Sequence, residues 1–167
     1  MIHASQLETA RLVVRPFVQA DAPLLVALFA DPEVHRFVDD GQALAPDVAA
    51  LWVERSAANL ERFGYGTGAV VERAGGEVIG WAGFARPGDG TEELIYGLRR
   101  ASWGRGLGKE LLAGLVAFAA ERGISPVRAT VDPANSVSVH LLRQAGFALA
   151  EPRYRGDAQA DLYLHGG

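Results

Sequence analysis

The stretch Trp103-Gly104-Arg105-Gly106-Leu107-Gly108-Lys109 places the strongest local constraint on this chain. It follows a β-type run, Glu93 to Leu98, and leads into a pattern with Leu107, Leu111, Leu115, Phe118 and Ala119 at helical spacing. A strand, a glycine turn and an amphipathic helix in that order call for an α/β arrangement. Glycines at alternate positions let the backbone approach a bulky anion without interference from Cβ, and the helix start adds unpaired N–H groups and a positive dipole end. Arg99, Arg100, Arg105 and Lys109 bring cations to the same turn. The letters therefore describe an anion cradle; the plainer reading is a tight loop whose cations are merely solvated.

Two familiar glycine motifs fail on the residues. A P-loop requires glycine where Trp103 stands and Ser or Thr where Glu110 stands. A dinucleotide fingerprint starting at Gly104 requires glycine in place of Lys109, together with an early βαβ unit that this chain does not show.

With 167 residues and an apolar fraction of 49%, the chain has the size of one domain, 1–167 with a core over 9–165, and enough apolar surface to bury it. No apolar run approaches the roughly 20 residues of a membrane span, and Glu8 and Arg11 follow Met1 too closely for a signal-peptide core, so a cytoplasmic protein without membrane contact is expected. The absence of cysteine excludes disulfides, thiolate metal sites and a cysteine nucleophile, and His3, His35, His140 and His165 show no ligand spacing, so no metal is expected. A net charge of −4 argues against nucleic acid as a partner and makes the cations near Gly104 a local site.

Along the chain, Arg11 to Phe17 reads as a first strand, and Asp21 is expected to cap a helix containing Leu24, Leu25, Leu28 and Phe29 that ends near Asp31-Pro32. Glu33 to Ala45 reads as irregular. A second helix follows Pro46, with Asp47 as cap and Val48, Leu51 and Trp52 on one face, and stops at Gly64. Ala69 to Arg73 and Glu77 to Phe84 flank Ala74-Gly75-Gly76 as a hairpin, and Gly88-Asp89-Gly90 turns into the strand before the glycine loop. After the loop helix closes at Gly123 come a strand, Val127 to Val131, a turn, Asp132 to Asn135, a helix, Ser136 to Gln144, and short strands around Ala148 to Ala150 and Leu162 to His165.

Four of these segments, in this order and spacing, resemble the GNAT N-acyltransferase superfamily, and within it the RimJ/RimL-like branch of protein N-terminal acetyltransferases. Leu7 to Arg15 resembles the opening strand, Glu93 to Leu98 the fourth strand, Trp103 to Gly108 the acetyl-CoA loop, and Asn135-x-x-Ser138 with Gly146-Phe147 the later CoA-side helix. The resemblance implies an α/β (α+β) fold: a mixed, mostly antiparallel sheet of six to seven strands flanked by about four helices. It implies acetyl-CoA as cosubstrate and a primary amine as acceptor, with a protein N-terminus favoured over a polyamine, amino acid or aminoglycoside. By the same resemblance, backbone N–H groups from Arg105 through Gly106, Leu107 and Gly108 to Lys109 hold the CoA pyrophosphate, with Trp103 and Gly104 opening the loop. The strand end at Leu98 pairs with the pantetheine arm. Strand alternation lets only one of Arg99 and Arg100 face the ligand, and Arg100 is taken as that one. Asn135 is expected at the pantetheine or acyl end, where it also suits a helix cap, and Arg143 at the nucleotide 3′-phosphate. A CoA-binding regulatory module without turnover is the alternative from outside enzymology.

The chain departs from the superfamily at two positions. Trp103 replaces the common Gln or Arg, which is usual in the RimJ/RimL-like branch. Leu142 stands where many members carry the tyrosine that protonates the departing thiolate. Ser138 is then the nearest candidate for that proton, and Glu93 is the best-placed candidate base. Trp52, Trp81, Phe37 and Tyr96 are candidates to line the acceptor groove, although such aromatics usually belong to cores.

Overall fold

The computed structural model describes residues 6–88 and 90–166, so Asp89 of the expected turn lies outside the described residues. The strands are β1 (Leu7–Glu8), β2 (Leu12–Pro16), β3 (Thr67–Glu72), β4 (Val78–Ala85), β5 (Glu93–Leu98), β6 (Val127–Val131), β7 (Ala148–Glu151) and β8 (Asp161–His165). The helices are α1 (Asp21–Phe29), α2 (Pro32–His35), α3 (Pro46–Phe63), α4 (Leu107–Arg122) and α5 (Ser136–Gln144). One sheet runs in the order β1-β2-β3-β4-β5-β6-β8-β7, with every neighbouring pair antiparallel except β5 and β6.

This is the mixed, mostly antiparallel architecture expected, with β1 and α2 added. β1 has only two residues, too few for a periodic signal, and pairs Leu7 with Val14. α2 falls in the segment expected to be irregular. There the Asp31 carboxylate accepts from the Glu33 N–H, and Pro32 supplies a preset φ at the first helical position.

The sheet carries a core on each face. Leu107, Leu111, Leu115 and Phe118 of α4 and Leu142 of α5 pack against Leu12, Val70, Phe84 and Leu94 on one face. On the other, Leu25 and Phe29 of α1 and Ala49 and Val53 of α3 pack on Ala69 and Trp81. Phe29 and Trp81 meet at 4.6 Å between ring centroids, and Trp52 meets both edge-on, which fixes α1 and α3 over the middle of the sheet.

Three local expectations are corrected. Asp21 does not cap α1: it is the first residue inside the helix, and its buried carboxylate accepts from Val18 N–H (2.8 Å) and from both terminal nitrogens of Arg15 (2.8 and 3.0 Å). Asp47 does not cap α3 either, because Pro46 begins the helix after Ala45. That start places Ala49, Val53 and Ser56 on the buried stripe and leaves Val48 and Leu51 48% and 40% exposed. Among the described residues, no helix is long and apolar enough to cross a membrane.

Candidate active site

The centre of the molecule is a fork. Parallel strands β5 and β6 are registered at one position, Glu93 opposite Arg128, near their N-terminal ends, and no longer pair toward Leu98 and Val131. Glu93 braces the closed end: Oε1 accepts from Thr130 N–H (3.1 Å) and from the Thr130 hydroxyl, and Oε2 lies 2.8 Å from Arg86. The Arg99 N–H donates to Ile79 of β4 at 2.7 Å, so the antiparallel alternation turns the amides of Tyr96 and Leu98 away from β4, into the fork. The Leu98 carbonyl accepts from Trp103 Nε1 at 2.8 Å.

A 3₁₀ turn, Arg100–Ser102, carries the chain from β5 to the glycine loop. Gly104 and Gly106 take left-handed φ of 75° and 76°, values that strain any residue with a Cβ. Gly106 caps α4 without a side chain, and the first bond inside the helix is Glu110 N–H to Gly106 carbonyl, 3.2 Å. The amides of Leu107, Gly108 and Lys109 precede it and have no partner within the helix. A Cβ built on Gly104 meets nothing within 4 Å, and one on Gly106 meets only Arg11 Nη2 at 3.5 Å, so the concave side has room for an anion. The loop therefore fits a pyrophosphate. The Leu107 side chain is buried in the core, which leaves its backbone N–H as its means of contact.

The loop's arginines are not free for that anion. Arg99 pairs with Glu77 (2.8 Å), Arg100 with Asp31, and Arg105 with Glu72 (2.5 Å). The hydrogen bonds from Arg105 and Arg100 hold the Glu72 and Asp31 carboxyls below the usual carboxylate range. Among the described residues, Lys109 is the loop cation without an ion pair. Arg11, not singled out from the sequence, braces the loop: Nη1 donates to the Arg105 carbonyl (2.9 Å) and Nε pairs with Glu110 (2.8 Å).

On α5, the Asn135 carboxamide accepts from Ser138 N–H at 3.3 Å, the cap reading of that residue. Ser138 lies beside Tyr96 in the first turn, while Leu142 is 2% exposed in the core. Arg143 projects elsewhere, over the Tyr163 ring of β8 at 5.9 Å, two places from β5 in the sheet.

On the other face a groove of about 480 Å³ opens between α3 and the sheet, lined by Trp52, Arg55, Ser56 and Asn59 of α3, with Thr67, Arg86 and Ile95. Trp52 Nε1 donates to Thr67 Oγ1 (3.0 Å), and that oxygen lies 2.6 Å from Ser56 Oγ, so buried hydroxyls hold the indole in the groove wall. Of the four aromatics considered, only Trp52 lines this groove. Trp81 is core, Phe37 stacks with Arg36, and Tyr96 lies on the opposite face of β5. Sequence reasoning missed Arg55, Ser56, Thr67 and Arg86. A serine on the stripe of Ala49 and Val53 is the one signal that pointed to a polar floor.

Residues 11–148 match the family described as acetyltransferase (GNAT) domain, and the chain belongs to that family. It is 30% identical over 152 residues to an uncharacterized N-acetyltransferase, p20, from Bacillus licheniformis, covering 84% of this chain and 81% of that one. A shorter match, 33% over 87 residues and 48% of this chain, joins it to half of the L-methionine sulfoximine/L-methionine sulfone acetyltransferase of Pseudomonas aeruginosa. The acetyltransferase of Agrobacterium tumefaciens superposes with a TM-score of 0.83 at 26% identity, covering 100% of this chain and 96% of that one. An acetyltransferase from Salmonella typhimurium that modifies the N-terminal serine of ribosomal protein L7/L12 shares the fold, with a TM-score of 0.78 at 16% identity and coverage of 95% and 96%.

Proposed function

We propose that this acetyltransferase moves the acetyl group of acetyl-CoA to an α-amine, with a polypeptide N-terminus as the favoured acceptor. The observation that carries the reading is the fork itself, because the strands part toward Leu98, where β5 leads through the 3₁₀ turn into the pyrophosphate-sized cradle at the start of α4. The backbone of Arg105 to Lys109 would hold the pyrophosphate, and the inward amides of Tyr96 and Leu98 would pair with the pantetheine and polarise the thioester carbonyl. Removing such a donor typically costs on the order of 10² to 10³ in rate.

Glu93 bears on the choice of amine. Its carboxylate is engaged by Thr130 and Arg86, so its position suits bracing the fork better than taking a proton. A lysine (pKa ~10.4) needs roughly 4.6 kcal/mol to be neutral at pH 7, whereas an α-amine (~7.8) needs about 1 kcal/mol. An α-amine can thus react with little help from a base. The groove's charged lining is Arg55 and Arg86, and with Arg86 paired to Glu93 the net charge it presents is that of Arg55, which disfavours polyamines and aminoglycosides and suits an acceptor that carries a carboxylate. A free amino acid meets the same requirement, and the match to the Pseudomonas enzyme favours keeping it as the second reading.

The test is acetylation profiling with thiol release as readout, across N-terminal peptides, amino acids, polyamines and aminoglycosides. The expected result is turnover of α-amine acceptors, with kcat/KM rising through an apparent pKa of about 7.7 to 8.0. Preferential turnover of polyamines, or a rate that vanishes in Glu93→Gln with acetyl-CoA affinity intact, would overturn the α-amine reading.

A further inference from the structure

The phenol of Tyr96 is a buried polar group that the reaction described so far leaves without a use. Its Oη is sealed from solvent and has no hydrogen-bond partner among the described residues. Buried hydroxyls are nearly always bonded, so an orphan of this kind points to a contact made at another stage. Tyr96 sits in the middle of β5, where alternation sets its side chain with Leu94 and Leu98 on the face covered by α4 and α5. There it lies against Ser138, in the first turn of α5. Burial pushes the Tyr96 phenol above its ordinary range, and the Ser138 hydroxyl opposes that shift without cancelling it, so the phenol remains a donor wherever amines are acetylated. Leu142 follows Ser138 by one helical turn on the same side of α5. The helix position that carries a phenol in many members of the superfamily is therefore aliphatic here, while the neighbouring strand brings a phenol to the preceding turn.

We propose that Tyr96 is a positioning residue for thiolate departure: once acetyl-CoA is bound, its O–H donates to Ser138 Oγ and turns the Ser138 O–H toward the leaving sulfur. The proposal rests on the acetyltransferase reading of the site. The acceptor nitrogen bonds to the acetyl carbon, the C–S bond breaks with its electron pair going to sulfur, and the surplus proton of the amine leaves to water. Ser138 bonds the sulfur as charge develops, and Tyr96 polarises that hydroxyl. Neither side chain gives up its proton. A phenol above its ordinary ~10 is a weak acid toward a thiolate near ~8.5, and the released thiolate takes its proton from solvent. The Asn135 carboxamide, bonded to Ser138 N–H at 3.3 Å, holds the serine in place for this contact.

Tyr96→Phe removes the hydroxyl alone. With acetyl-CoA and a peptide bearing a free α-amine, kcat should fall about tenfold, the KM for acetyl-CoA should change less than about twofold, and Tm should hold or rise because an unbonded buried hydroxyl is gone. The double variant with Ser138→Ala should be no slower than Ser138→Ala alone, since the phenol acts through the serine. An unchanged kcat in Tyr96→Phe, or two effects that multiply, would overturn the proposal. A second measurement needs no acceptor. In protein labelled at tyrosine Cζ, the Tyr96 resonance should shift on adding CoA but not on adding desulfo-CoA, and Ser138→Ala should abolish the difference. Equal responses to the two compounds would also overturn it. A protein that shows the sulfur-dependent shift yet acetylates no amine would sustain the hydroxyl pair while refuting the acetyltransferase reading.

Discussion

The cradle at the start of α4 and the groove under α3 are built in opposite ways. The cradle is local: from Trp103 to Lys109 the chain supplies turn, helix start and amides in one run, and backbone atoms make the contacts. The groove is assembled from α3, β3, β4 and β5, with Arg55 and Ile95 forty residues apart in sequence, and side chains make its contacts. A site made of backbone tolerates change in the side chains around it but not a Cβ in its concavity. A site made of side chains changes specificity with single substitutions.

Gly106→Glu is the most severe way to break the comparison. It places a Cβ and a carboxylate in the concavity at a φ of 76°, so acetyl-CoA binding should weaken by more than about 100-fold while α4, anchored by Leu111, Leu112 and Leu115, stays folded. Calorimetry on the folded variant checks this, and native affinity would sink the cradle.

Next in size is Arg55→Glu on the groove side. An exposed charge that meets an acceptor carboxylate contributes up to about 1 kcal/mol, and reversal doubles the stake, so the acceptor KM should rise roughly five- to tenfold with the KM for acetyl-CoA unchanged. A smaller contrast sharpens the cradle. Lys109→Ala should raise the acetyl-CoA KM about threefold, and Arg105→Ala by less, because Arg105 is spent on Glu72. Steady-state kinetics that rank the two in reverse would show that the Arg105–Glu72 pair opens when CoA binds.

The same division explains what the sequence could show. The glycine loop, the helices at α4 and α5 and the strand before the loop are legible because each is a periodic or contiguous signal. The fates of Arg99, Arg100 and Arg105 are not, because their partners Glu77, Asp31 and Glu72 arrive from separate strands and turns. The sequence groups Tyr96 with the groove aromatics because a period of two says which residues share a face without saying which face it is. Glu93 stands out in the sequence as a candidate base, but its engagement by Thr130 depends on the single-residue register of β5 with β6, which no local pattern encodes.

The mildest test concerns Glu110, which ties the cradle to the opening strands. Burial works against its ionisation, yet hydrogen bonds from Thr9 and from the Arg11 side chain and amide prevail and hold its carboxyl below the usual range. A carboxyl whose folded pKa is depressed adds stability that is present above its unfolded pKa of about 4.3 and lost as pH falls through the folded value. Glu110 is 19% exposed and Arg11 44%, so solvent screens the pair, and Glu110→Gln should cost about 1 kcal/mol at pH 7. The cost should shrink as pH drops below about 4, where the wild-type carboxylate is itself being protonated, so the melting curves of the two proteins should converge there. Parallel curves from pH 7 to pH 3 would mean that Glu110 acts through shape rather than charge. Convergence with a small rise in the acetyl-CoA KM would show that Arg11, released from Glu110, no longer braces the Arg105 carbonyl, and that even the backbone-built cradle leans on one charged pair.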